Sequence, residues 1–138
     1  MLQFVNRLMN NPMNRPPVYT LLVDLTGWSL DRTAGLPRSH RFTFGERADR
    51  LTLDCLEFTI EAIYAPASVK ATPLRKINVT LEKLRVFWRL IAERGWISQQ
   101  QLRFVAGQLD EVGRMIGGWL KSLETRRQRS PEAGDGGP

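Results

Sequence analysis

Apolar residues return every three or four positions along most of this chain, the spacing that gathers them on one face of an α-helix. Four such runs follow one another. In the first, from Val18 to about Ala34, Val18, Leu21, Leu22, Leu25 and Trp28 share a face, while Tyr19, Val23 and Leu30 form a second line. In the second, about Phe44 to Ala65, Phe44, Ala48, Leu51, Cys55, Phe58 and Ala62 line up, with Leu53, Leu56, Ile60, Ile63 and Tyr64 opposite them. The third places Leu74, Ile77, Leu81, Leu84, Trp88 and Ile91 on a core face that runs to about Arg94, with Val79, Val86 and Leu90 on the far side. The fourth has one clean stripe, Leu102, Val105, Ala106, Leu109, Val112, Ile116, Leu120 and Leu123, and a polar back.

The punctuation between the runs fits helix ends. Gly35 and Pro37 close the first, since proline cannot donate a backbone hydrogen bond and turns Leu36 away from helical geometry. Thr43 and Glu46 read as a capping box, so the second helix is expected to begin near Phe44. Pro66 stops that helix; Thr72 as N-cap with Pro73 at the first position starts the third. Gly95 ends the third, and Ser98 with Gln101 is a second capping box. Gly27 weakens the first helix slightly and suggests close approach by a neighbouring helix, and Gly113, Gly117 and Gly118 in the fourth run each cost about 1 kcal/mol relative to alanine, which predicts close packing by a neighbouring helix beside Trp119 or, alternatively, a local kink.

Four amphipathic helices with short links predict an all-α, antiparallel up-down-up-down four-helix bundle. A monomeric surface helix normally shows one apolar stripe, so the second stripes on the first three helices predict a homo-oligomer. With 138 residues there is one domain: a leader over 1–15, the bundle over 16–124 and a disordered tail over 125–138.

Charge sharpens the picture. The chain carries +6, with an uneven distribution. The second helix holds five acids (Glu46, Asp49, Asp54, Glu57, Glu61) against Arg47 and Arg50, for a net of −3, its acids on the outer strips. The third segment, from Lys70 to Arg94, is +5. Between the first two helices, Pro37 to Thr43 contains Arg38, Arg41 and the one histidine, His40. Arg38, His40 and Arg41, with Arg47, Arg50, Arg75, Lys76, Arg85 and Arg89, are therefore the candidate contacts to an anionic partner, because guanidinium groups grip phosphates bidentately. Arg38 and Arg41 have an alternative reading, capping helix ends or pairing with acids of a neighbouring subunit. The four tryptophans read as core packing rather than base stacking.

No catalytic constellation assembles. One cysteine and one histidine make neither an internal disulfide nor a zinc set, and Cys55 reads as a small buried apolar residue. Asp54, Glu57 and Glu61 lack histidine partners and read as a solvated face. The sequence therefore predicts no enzyme, no cofactor and no metal. With no secretory signal and no apolar run near the ~20 residues of a membrane span, the expected location is the cytoplasm.

Pro37-Arg38-Ser39-His40-Arg41-Phe42-Thr43, followed by Gly113-Arg114-Met115-Ile116-Gly117-Gly118-Trp119-Leu120-Lys121, resembles the paired signature of the accessory variability determinant family. Those are four-helix proteins encoded beside the reverse transcriptases of diversity-generating retroelements, and the likeness covers about Pro16 to Leu123. It implies a pentameric ring and a non-catalytic accessory subunit that binds a reverse transcriptase and nucleic acid, template RNA or an RNA–DNA hybrid, during mutagenic copying. It carries the binding role to Arg38, His40 and Arg41; the remaining basic residues enter on charge and placement. Two other classes stay open: a four-helix RNA-binding protein of the type encoded in ribosomal intervening sequences, and a structural oligomerisation module.

Overall fold

The structure, a computed structural model, describes residues 15–129. These residues contain four α-helices and no strand: α1 (Pro17–Thr33), α2 (Glu46–Tyr64), α3 (Ala71–Glu93) and α4 (Gln99–Arg129). Short 3-10 turns at Arg38–His40 and Ala67–Val69, and a π turn at Arg41–Gly45, fill the connections. The leader expected over 1–15 falls outside the described residues except for Arg15, and so does the tail beyond Arg129. Helix α4 itself runs to Arg129, past Leu123 where its apolar stripe ends.

The core follows the periodicity. Leu74, Ile77, Leu81, Leu84, Trp88 and Ile91 of α3 are all buried, as are Val105, Leu109, Val112 and Ile116 of α4. Trp28 of α1 meets Trp88 edge to face at 5.1 Å. On α2 the fully buried line is made of small residues, Ala48, Thr52, Cys55, Thr59 and Ala62, with Leu51 and Phe58 half-buried beside it. Close approach of a neighbouring helix is thus provided by this seam. The threonines join it because their hydroxyls donate to their own helix, Thr52 to the Ala48 carbonyl at 2.8 Å and Thr59 to that of Cys55 at 2.9 Å. Thr26 and Thr80 do the same in α1 and α3. A threonine bonded in this way buries little unsatisfied polarity.

The glycines differ from the expectation. A Cβ added at Gly27, Gly117 or Gly118 would meet nothing within 4 Å, and one at Gly113 would make only ordinary contact with the Leu81 and Arg85 side chains. Gly27, Gly117 and Gly118 lie on open helix surface within this chain, and Gly113 faces α3 at ordinary packing distance. The glycine with the most neighbours is Gly45, whose added Cβ would stand 3.4 Å from Leu36 Cδ1 and 3.5 Å from Thr33 Cβ, in ordinary packing contact.

Two helix starts also depart from the pattern. Helix α3 begins at Ala71 with Lys70 ahead of it, so Thr72 lies inside the helix and caps nothing. The 3-10 turn over Ala67–Val69 feeds directly into α3, Lys70 already having helical backbone angles, which leaves no extended residue for a hydroxyl cap. Lys70 turns back instead, its Nζ donating to the carbonyls of Ala62 and Ile63 at 2.7 and 2.9 Å and satisfying the open end of α2. The Thr43–Glu46 capping box likewise does not form, because the π turn already supplies the Glu46 amide with the Arg41 carbonyl. The Ser98–Gln101 box does form: each side chain accepts the other's backbone N–H, at 3.0 and 2.9 Å.

The second stripes are in the open. Val79, Val86 and Leu90 of α3 and Leu53, Ile60 and Tyr64 of α2 are exposed, Tyr64 to 78%. On α1 the second line divides, with Tyr19 buried and Leu30 exposed. Among the described residues no helix is long and apolar enough to cross a membrane.

Candidate nucleic-acid interface

The connection from α1 to α2 is built on a buried anchor. After Thr33 the chain makes a tight step, the amides of Gly35 and Leu36 donating to the Arg32 and Thr33 carbonyls at 3.1 Å each, and the Leu36 side chain drops into the core at 1% exposure. Pro37 then starts the 3-10 turn, its carbonyl accepting the His40 amide at 2.8 Å. Arg41 Nε donates to the Leu36 carbonyl at 3.1 Å, tying the π turn to the end of α1. With the backbone satisfied in this way, Arg38, Ser39, Phe42 and Thr43 face water.

The nine basic candidates fall into separate groups. Arg38, Arg75 and Arg89 are exposed and make no ion pair among the described residues. His40 lies on Trp96, ring centroids 4.6 Å apart and planes 31° from parallel. Arg47 sits over the Phe87 ring at 5.7 Å, and Lys76 over Phe58 at 5.7 Å. Arg50 pairs with Glu46 at 2.8 Å on the surface, an interaction of little energetic weight. Arg85 bonds Glu82 and reaches across to Asp110 of α4 at 3.2 Å, its side chain only 28% exposed.

Helix geometry decides which of these act together. Phe87 follows Arg85 by two residues, about 200° round the helix, so the side of α3 that meets Arg47 is turned away from the side that meets Asp110. Arg75 and Lys76 stand eleven residues or more before Phe87, about 17 Å along α3. The structure therefore gathers Arg38, His40, Arg41 and Arg47 at one end of the bundle, and does not bring Arg75, Lys76 or Arg85 to them. Arg94, two residues before Trp96, is exposed and unpaired among the described residues and belongs with this end group. Its signal in the sequence is its place beside Gly95-Trp96, which carries meaning only once His40 is known to meet Trp96.

Asp49 is not the outer-strip acid that its place in α2 predicts. Its carboxylate accepts the Thr33 hydroxyl at 2.8 and 3.0 Å and that of Ser29 at 3.2 Å, tying the first turn of α2 to the last turns of α1. Burial raises its pKa above the ordinary value of 3.8, the two hydroxyls opposing the shift. Beside it opens a groove of about 750 Å³, lined by the apolar Leu30, Phe42 and Leu53 and by the charged Arg41, Glu46 and Arg50. Cys55 is fully buried, and desolvation, with the nearby Asp54 charge second, pushes its thiol up to about 12. That holds it as a neutral thiol at neutral pH. No group of three or more histidine, cysteine or acidic side chains placed to hold a metal is found among the described residues.

Among known proteins, a family model described as bAvd-like matches residues 21–123. No curated protein and no solved structure matches.

Proposed function

The chain belongs to the bAvd-like family, the bacterial accessory variability determinants of diversity-generating retroelements, and on that premise we propose that it is a non-catalytic accessory subunit of a retroelement reverse transcriptase. In this reading it binds the polymerase and nucleic acid, template RNA or an RNA–DNA hybrid, in the cytoplasm. The observation that carries it is the family match, which reaches from the first turns of α1 to the end of the α4 stripe. The end group of Arg38, His40, Arg41, Arg47 and Arg94 supports the nucleic-acid half, because its four arginines gather positive charge without an equal number of free carboxylates. Phosphate contacts of this kind are insensitive to sequence and weaken with salt.

The same reading makes the protein a homo-oligomer, a ring of about five copies on the family's pattern, of antiparallel up-down-up-down bundles. The exposed apolar residues of α2 and α3 support the oligomer. The ring contacts of Phe44 with Phe87 and of Lys76 with Phe58 support the opposite sense of α2 and α3.

The test is binding of the purified protein to structured RNA and to an RNA–DNA hybrid across a salt series, with the mass of the free protein measured alongside. Binding that falls linearly in log–log form, by an oligomer of about five copies that also retains a co-expressed reverse transcriptase, is the expected result. Arg38→Glu, at a side chain with no bond to the rest of the described residues, is expected to weaken binding across all sequences. It is also expected to lower the salt slope by about 1 for each phosphate that Arg38 grips. An oligomer that binds no nucleic acid at low salt leaves a structural module.

A further inference from the structure

We propose that His40 and Trp96 form a stacking platform for an unpaired nucleobase of single-stranded nucleic acid, whose phosphates are held by the surrounding arginines. The proposal rests on the nucleic-acid reading above and narrows it to one kind of contact at one end of the bundle.

The platform joins two connections that are remote in sequence. His40 closes the 3-10 turn between α1 and α2, and Trp96 follows α3. Their rings meet at 4.6 Å and 31°, and Phe44 braces both, 5.6 Å from Trp96 at 73° and 6.4 Å from His40 at 62°. With Phe44 edge-on to both, the tilted His40–Trp96 pair is the face-on contact that a further ring can extend.

Trp96 packs against the core as Trp28 and Trp119 do, but with the His40 ring laid on it and part of its surface in water. Trp88, a core tryptophan, is 2% exposed, whereas Trp96 and His40 are both half-buried, so aromatic surface remains open to water. Neither ring nitrogen of His40 has a hydrogen-bond partner among the described residues, which leaves both, in the plane of the ring, for the sugar or phosphate beside a stacked base.

The charges agree with the occupant. Arg38 and Arg94 each stand two residues from a platform ring, exposed and unpaired among the described residues, and Arg47 lies over Phe87, whose ring meets Phe44 at 6.2 Å. Of the neighbouring acids, Glu46 is engaged by Arg50 and Asp49 by Thr33, leaving Glu93 as the opposing carboxylate nearest Arg94 in the chain. A duplex hides its base faces in its own stack, while a single strand offers them, and every base has a π-face, so such a site takes single strands of any sequence.

The test compares a labelled oligo-dT with an abasic oligomer carrying the same number of phosphates, by fluorescence anisotropy at several salt concentrations. The intact protein is expected to bind the oligo-dT about tenfold more tightly than the abasic strand. His40→Ala is expected to weaken oligo-dT binding far more than abasic binding, leaving the salt slope that the four arginines set in place, and His40→Phe to restore the preference; far-ultraviolet circular dichroism checks that both remain helical. Equal affinity of the intact protein for the two strands overturns the platform and leaves the electrostatic reading standing. An equal weakening for both strands in His40→Ala also overturns it, by showing that the residue only shapes the loop. If neither strand binds at low salt, the platform fails, and the titration with structured RNA and an RNA–DNA hybrid decides the nucleic-acid reading separately.

Discussion

Two connections at the same end of the bundle, α1 to α2 and α3 to α4, perform the same task by different means. The second obeys local rules throughout. Gly95 takes a positive φ of 76°, its amide donates to the Ala92 carbonyl and that of Trp96 to the Ile91 carbonyl, and Ser98 and Gln101 cap α4 reciprocally. The first has no positive φ and no side-chain cap at its helix starts; it turns through 3-10 and π geometry, with Arg41 holding the Leu36 carbonyl. The connection that spends its polar side chains on capping leaves few for a partner. The one that satisfies its backbone internally leaves Arg38, Ser39 and Thr43 unengaged, and there the basic cluster sits.

The comparison breaks first at the anchors. Leu36 and Ile97 each hold one connection in the core, at 1% and 7% exposure. Leu36→Ala is expected to cost about 2–5 kcal/mol in chemical denaturation, and Ile97→Ala to fall lower in that range, since its site already admits some water. A Leu36→Ala cost below about 1 kcal/mol would mean that the π turn holds the connection without its anchor. Next comes Gly95→Ala, expected to cost about 1–2 kcal/mol because an L side chain strains at that φ. The sharpest contrast lies between the two capping boxes. Ser98→Ala should cost about 1 kcal/mol, while Thr43→Ala should stay within about 0.5 kcal/mol, since no backbone group of α2 depends on it. Equal costs at the two positions would show that Thr43 does cap α2 in solution.

Much of the fold is legible because it rests on period and on local chemistry. The α3 core face is predicted residue for residue, from Leu74 to Ile91, and the Ser98–Gln101 box needs only neighbours three residues apart. What escapes the pattern depends on groups far apart in sequence. Thr52 and Thr59 stand outside the apolar lines of α2 in the sequence and join its buried seam because their hydroxyls bond their own helix, and Asp49 reads as a surface acid until Thr33 and Ser29 are placed beside it. The glycines of α4 invite a packing argument, yet the fully buried line of small residues is the Ala–Thr–Cys seam of α2. The same limit applies to the site. Arg38, His40 and Arg41 are visible as a cluster, but their link to Trp96 and Arg94 is tertiary, and the wider set from Arg75 to Arg89 divides because charge counts carry no direction around a helix.

Asp49 offers the smallest and most specific test, because it ties the unconventional connection to α1 at an electrostatic cost. Its folded-state pKa lies above 3.8, so the folded protein holds its proton to higher pH than the unfolded chain does. Between those two values the folded state binds more protons, and the Asp49 contribution to stability declines as pH rises through the window; above it the half-buried carboxylate is ionised at full cost. Asp49→Asn keeps an oxygen that accepts the Thr33 hydroxyl and removes the charge. Urea unfolding from about pH 4 to about pH 7 should therefore show the variant gaining on the parent as pH rises, with the parent's extra downward slope abolished. A variant less stable than the parent at pH 7 would mean that the hydroxyls bind the ionised carboxylate strongly enough to outweigh its burial. Asp49 would then be a stabilising clasp of the first connection, equivalent to the capping box of the second.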